Sequence, residues 1–184
     1  SMYRTIQLSD GNYAGLGSIY ADGTVKTAVI KFEPDGDVIW QTILGLGINY
    51  YCNYIYSITS DEIIVLNSNN FYKLNIGGTI ISEITFDFED LGYEPIDGDD
   101  GIVNFLDVDT NSTGMCCVAS GSTGLLGFND IISVTQISND GVVLWSYGYE
   151  LTEPTGHWSI SCTDETSNLI YNNYGPEEVK QLKI

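Results

Sequence analysis

Val29-Ile30-Lys31-Phe32-Glu33-Pro34-Asp35-Gly36-Asp37-Val38-Ile39-Trp40 is an alternating segment, an Asp-Gly turn and a second segment ending on tryptophan. Val134-Thr135-Gln136-Ile137-Ser138-Asn139-Asp140-Gly141-Val142-Val143-Leu144-Trp145 has the same plan. Asp-Gly between alternating apolar runs predicts a β-hairpin, because glycine accepts the positive φ that such a turn demands. A weaker copy lies between them, Phe71-Tyr72-Lys73-Leu74-Asn75-Ile76-Gly77-Gly78-Thr79-Ile80-Ile81-Ser82, with Ser82 in the place of the tryptophan.

Each of these hairpins follows another. Residues 4–8 and 13–18 flank Ser9-Asp10-Gly11-Asn12; residues 54–58 and 63–66 flank a turn around Ser60-Asp61. Residues 105–108 and 115–119 flank a turn over 109–113, and residues 158–162 and 169–171 flank Asp164-Glu165-Thr166. No segment carries the i, i+3, i+4, i+7 apolar pattern of a long helix. The expected fold is therefore all-β: a β-propeller or propeller-like array of about four antiparallel four-stranded blades of about 40–45 residues each. The whole of 1–184 reads as one such domain, with units 3–49, 50–86, 102–149 and 157–184 and an insertion at 87–101. The last blade is expected to be incomplete, since the sequence stops at Lys183-Ile184 before its outer turn and strand. Three arrangements follow from that: a closed four-blade ring, a fragment of a larger propeller, or a homodimer that completes the ring between chains.

Around Ser9-Asp10-Gly11-Asn12-Tyr13 and the two segments ending on Trp40 and Trp145, the chain resembles the propeller repeats of bacterial secreted and surface proteins. It is also similar to quinoprotein-type (PQQ-like) and WD-type repeats. The first and third units carry the resemblance; the second lacks the tryptophan. The resemblance implies a secreted or cell-surface location. It does not imply a quinone site, because no ligands for one can be placed.

Composition narrows the function. There are 25 acidic residues against 6 basic ones, a formal net charge of −19. Phosphate backbones and anionic membranes would be repelled, so nucleic acid is not an expected partner. No apolar run approaches the ~18 residues of a membrane helix, and no membrane insertion is expected. The opening Ser1-Met2 reads as a cloning remnant, so the lack of a leader says nothing about compartment. The cysteines at 52, 116, 117 and 162 have no Cys-x-x-Cys spacing for structural zinc. Cys116 and Cys117 are neighbours in an expected strand and point to opposite faces, so one of them can meet Cys162; buried free thiols are the expected state.

Candidate site residues come from insertions, aromatics and acids. Asp97, Asp99 and Asp100 in the 87–101 insertion are the candidate Ca²⁺ ligands, with Asp107-x-Asp109-x-Asn111 a second set; neither follows the EF-hand spacing. Ca²⁺ is the one cofactor considered. Tyr51, Tyr54, Tyr93, His157 and Trp158 are the candidate binding residues, as rings able to stack on a sugar or anchor a protein. His157 is the only histidine, and no Gly-x-Ser-x-Gly elbow exists, so Ser-His-Asp catalysis is not expected. Trp40 and Trp145 are read as structural, filling the gap between adjacent sheets with the indole N–H bonded locally; Gly36 and Gly141 are read as their turn glycines. Asn111-Ser112-Thr113 matches a glycosylation acceptor. The function expected is a non-catalytic binding or scaffold propeller for a protein or glycan partner. The alternative is a carbohydrate-active enzyme with carboxylates at the propeller axis.

Overall fold

A computed structural model describes residues 2–46, 53–59, 61–87, 89–91, 102–122, 131–150, 155–163, 167–173 and 179–183. The strands are β1 (Met2–Gln7), β2 (Tyr13–Ala21), β3 (Thr24–Phe32), β4 (Val38–Leu46), β5 (Asn53–Ser57), β6 (Glu62–Asn67), β7 (Asn70–Asn75) and β8 (Ile80–Thr85). They continue as β9 (Ile102–Asn111), β10 (Gly114–Ser122), β11 (Ile131–Ser138), β12 (Val143–Glu150), β13 (Thr155–Cys162), β14 (Ser167–Asn173) and β15 (Val179–Lys183). The fold is all-β, and no helix occurs among the described residues. The strands form three four-stranded meanders, β1–β4, β5–β8 and β9–β12, and a three-stranded one, β13–β15. Strand order follows chain order within every sheet, and the sheets do not close on themselves.

One turn is built four times among the described residues. In residues 8–12, 33–37, 75–79 and 138–142 the first residue's carbonyl accepts from the fourth residue's N–H, and its own N–H donates to the fifth residue's carbonyl. The fourth residue is Gly11, Gly36, Gly78 or Gly141, each with φ between 81° and 100°. This is a three-residue hairpin loop whose last position lies in the left-handed region, where a Cβ would be strained. The register around it is also shared: Lys31 opposes Trp40 and Gln136 opposes Trp145, each followed by a bulge.

The sequence placed the third unit's first turn over 109–113, but β9 runs on through Asn111 and pairs it with Gly114. Only Ser112 and Thr113 form the loop. The Asn111 carboxamide oxygen accepts from Thr113 N, Thr113 Oγ1 and Gly114 N, which replaces a wider turn with a tight one.

The chain divides into two compact units, 1–84 and 85–184. In the first, sheets β1–β4 and β5–β8 pack together through Leu8, Ala14, Leu16, Val29 and Leu44 on one side and Ile55, Ile63, Val65, Tyr72 and Leu74 on the other. Ile64, Leu66 and Phe71, which point the opposite way, are also fully buried. A strand buried on both faces reads as the continuous apolar run Ile63-Ile64-Val65-Leu66 rather than as an alternation. In the second unit, Cys116, Val118 and Val134 pack against Ile160 and Cys162 of β13. The opposite face of sheet β9–β12 holds Phe105, whose ring meets Phe86 edge-on at 5.7 Å.

In each of the three four-stranded sheets a long polar side chain on the third strand reaches a residue at or beside the turn between the first two. Lys31 Nζ lies 2.6 Å from Asp10 Oδ2 and Lys73 Nζ 3.0 Å from Glu62 Oε1. At the matching place Gln136 Nε2 donates to Asn111 Oδ1 and Thr113 Oγ1. The strand partner changes in step: a lysine meets a carboxylate, and a glutamine meets an amide and a hydroxyl. The Lys31 ammonium holds the Asp10 carboxyl below its ordinary value.

Candidate functional site

Trp40 sits on β4 and faces the second sheet of its unit. Its Nε1–H donates to Ile76 O at 3.0 Å, and Thr42 Oγ1 donates to Gly78 O, so two side chains of one sheet reach into the 75–79 turn of the next. The indole N–H is thus bonded across sheets, not locally. The reason is geometric: β4 is an outer strand, and the side chains it turns to the next sheet meet the carbonyls of that sheet's 75–79 turn. A Cβ on Gly78 would stand 2.7 Å from Trp40 Cδ2. Trp145, at the same register in β12, packs on the Cys116–Cys162 cluster, with the Tyr147 ring 5.5 Å away. Gly36 and Gly141 occupy the positive-φ positions of their turns.

Of the candidate binding residues, Tyr54 is 8% exposed. The Arg4 guanidinium lies 3.9 Å above its ring, and Tyr56 packs beside it at 5.8 Å. The ring is therefore interior to the first unit and spans β1 and β5. It offers no open stacking platform. His157 and Trp158 lie in β13, opposite Asn172 and Tyr171, with a bulge just before them. Their side chains lie outside the described residues, as do Tyr51, Tyr93, Asp97, Asp99 and Asp100.

The polar seam between β9 and β13 is the densest cluster of chemistry among the described residues. Asp107, Asp109 and Asn111 alternate along β9 and so share one face. Asp107 Oδ2 accepts from Ser159 Oγ and Ile160 N, both at 2.9 Å. Asp109 Oδ2 accepts from Cys162 N at 2.9 Å, and Asn111 Nδ2 donates to Thr163 O. β13 is an edge strand, so its outward N–H groups lack sheet partners; the carboxylates take that place. In the second Ca²⁺ set expected from the sequence, the two carboxylates thus accept from backbone N–H groups and the amide donates to a backbone carbonyl, and no cluster of metal-binding type occurs among the described residues. The Asn111 amide is likewise engaged at both of its atoms, which leaves it poorly placed as a glycosylation acceptor. What the sequence reading missed is this partnership; its signal was acidic residues at a spacing of two on a first strand.

Behind the seam, Cys116 Sγ donates to Gln136 Oε1 at 3.3 Å. The hydrogen bond between Cys116 and Cys162, with burial, pushes the Cys162 thiol well up. Cys116, Cys117 and Cys162 are buried thiols, not joined in a disulfide. On the opposite face of the sheet, the Ser133, Thr135 and Ser146 hydroxyls form a triangle with edges of 2.7–3.0 Å. Ser146 Oγ donates to Leu91 O, which fastens the start of the 87–101 segment to β12. Asp87 and Asp90 cap each other's N–H groups there, and Leu91 is buried. These hydroxyls are committed to one another and to a carbonyl, an arrangement that anchors a loop.

No family model and no curated protein matches the chain. Among solved structures it is similar to a protein of unknown function from Bacteroides caccae, with a TM-score of 0.57 at 12% identity over 93% of this chain and 54% of that one. The chain spans about half the length of that structure, and at this identity the likeness is one of fold alone.

Proposed function

We propose that the chain forms part of a β-propeller array and serves as a non-catalytic binding or scaffold module for a protein or glycan partner, at a secreted or cell-surface location. The observation that carries this reading is the docking of Trp40 and Thr42 into the turn of the next sheet. Blade-like meanders stacked face to face need such a joint at every step around an axis. The seam carboxylates and the hydroxyl triangle, spent on joining sheets and anchoring a loop, support a scaffold more than a reaction centre. The 87–101 insertion and the 123–130 connection between β10 and β11 are the recognition loops in this reading, since loops on a rigid frame carry binding.

The test is an array of defined glycans and surface proteins probed with the purified chain, followed by a reducing-sugar assay on each glycan bound. Binding without turnover is the expected result. Release of reducing ends, abolished by substituting a single carboxylate, would establish the carbohydrate-active enzyme instead.

A further inference from the structure

We infer that Cys116 and Cys162 are a disulfide site, closing under oxidising conditions to staple sheet β9–β12 to sheet β13–β15. The two residues lie on facing sheets, in one apolar cluster with Val118, Val134 and Ile160. Cys116 opposes Asp109 across β10 and β9, and the Asp109 carboxylate accepts from Cys162 N at 2.9 Å, which sets the two cysteine positions side by side. Both ends are also held in place. The Cys162 N–H is fixed by Asp109 Oδ2, and the Cys116 sulfur lies between Gln136 Oε1 at 3.3 Å and Asn111 Nδ2 at 3.9 Å. Cys117, the chain neighbour of Cys116, opposes Val108 and Thr135 and so points to the other face. The geometry therefore selects one partner for Cys162.

The chemistry requires an external oxidant of the small-molecule disulfide class, such as oxidised glutathione. A Cys162 thiolate attacks one sulfur of that disulfide, forming a mixed disulfide and releasing one thiol. The Cys116 thiolate then attacks the Cys162 sulfur, the second thiol leaves, and the two protons lost from the cysteines are carried by the two released thiols. Cys116 is fully buried, so a folded chain exchanges slowly and closure belongs to folding, as β13 docks and before the cluster seals. Once formed, the bond is shielded by the same cluster.

The test refolds reduced protein from urea in a mixed reduced and oxidised glutathione buffer, blocks remaining thiols with iodoacetamide, and maps peptides without reduction. The expected result is a Cys116–Cys162 linked peptide and a melting midpoint higher by about 5–15 °C than that of the reduced protein. That increment is lost in Cys162→Ser and Cys162→Ala and kept in Cys117→Ala. Recovery of both residues in alkylated form after oxidative refolding, or Cys116 joined to Cys52 or Cys117, overturns the inference.

Discussion

Gly78 shows how one hydrogen atom in place of a side chain can hold a joint between sheets. Its φ of +86° is the first demand, and the indole of Trp40 against its α-carbon is the second. Gly36 makes the first demand alone: its φ is +100°, and a Cβ there would meet nothing within 4 Å. Gly36→Ala is therefore expected to cost about 1–2 kcal/mol from backbone strain. Gly78→Ala is expected to cost about 3–4 kcal/mol, since it adds the displacement of a packed tryptophan. Urea denaturation followed by tryptophan fluorescence measures both, and equal costs would contradict the role given to Trp40. The turn glycines were legible in the sequence because Asp-Gly and Gly-Gly are local signals. The acceptor of Trp40 was not, because Ile76 lies 36 residues away in another sheet.

Between elements, the bonds that hold strands together differ in kind from sheet to sheet. The first unit uses Lys31–Asp10, Lys73–Glu62 and the Arg4–Tyr54 stack, while the second uses Gln136, Asn111 and two carboxylates on a strand edge. Strand positions were legible from alternation and turns. The β9–β13 seam was not, because a run such as Asp107-x-Asp109-x-Asn111 looks the same whether it faces water, a cation or a bare edge. The choice between Cys116 and Cys117 was half legible: period two set them on opposite faces, and only the register decided which one met Cys162. On β7, Tyr72 is buried and its hydroxyl donates to Glu83 of β8. Burial first, and the Glu83 charge second, push its ionisation up to about 12. An unfolded tyrosine ionises near ~10. Its contribution to stability is thus complete below about pH 10 and lost as pH rises through 12. Tyr72→Phe should be less stable than wild type by about 1 kcal/mol at pH 8, with the gap narrowing between pH 10 and 12. Paired urea midpoints at pH 8 and 11.5 measure this, and a constant gap would contradict it.

For the whole molecule, the apolar surface left on the outer strands is the feature with a testable outcome. Val38, Ile39, Ile81, Val142, Leu144 and Tyr147 remain exposed on or next to the outer strands β4, β8 and β12. A second copy covering such surface is favourable, at roughly 25 cal/mol per Å² of apolar area. Light scattering is therefore expected to return twice the 20.2 kDa of one chain. A monomer at all concentrations would favour a ring closed within four sheets. The sequence left a closed ring, a fragment and a homodimer open alike, because turn chemistry and alternation define a sheet without saying what lies against its outer strand.

The strictly sequential strand order has a consequence for how the chain is made. Every strand pairs only with its neighbours in the chain, so the first sheet is complete once residue 46 has left a ribosome or a translocation pore. It need not wait for distant partners. Trp40 then stands exposed until Ile76 and Gly78 emerge to receive it, making the second sheet the cap of the first. The molecule is suited to vectorial assembly, one sheet at a time from the N-terminus, with its vulnerable moment always at the most recently emerged edge.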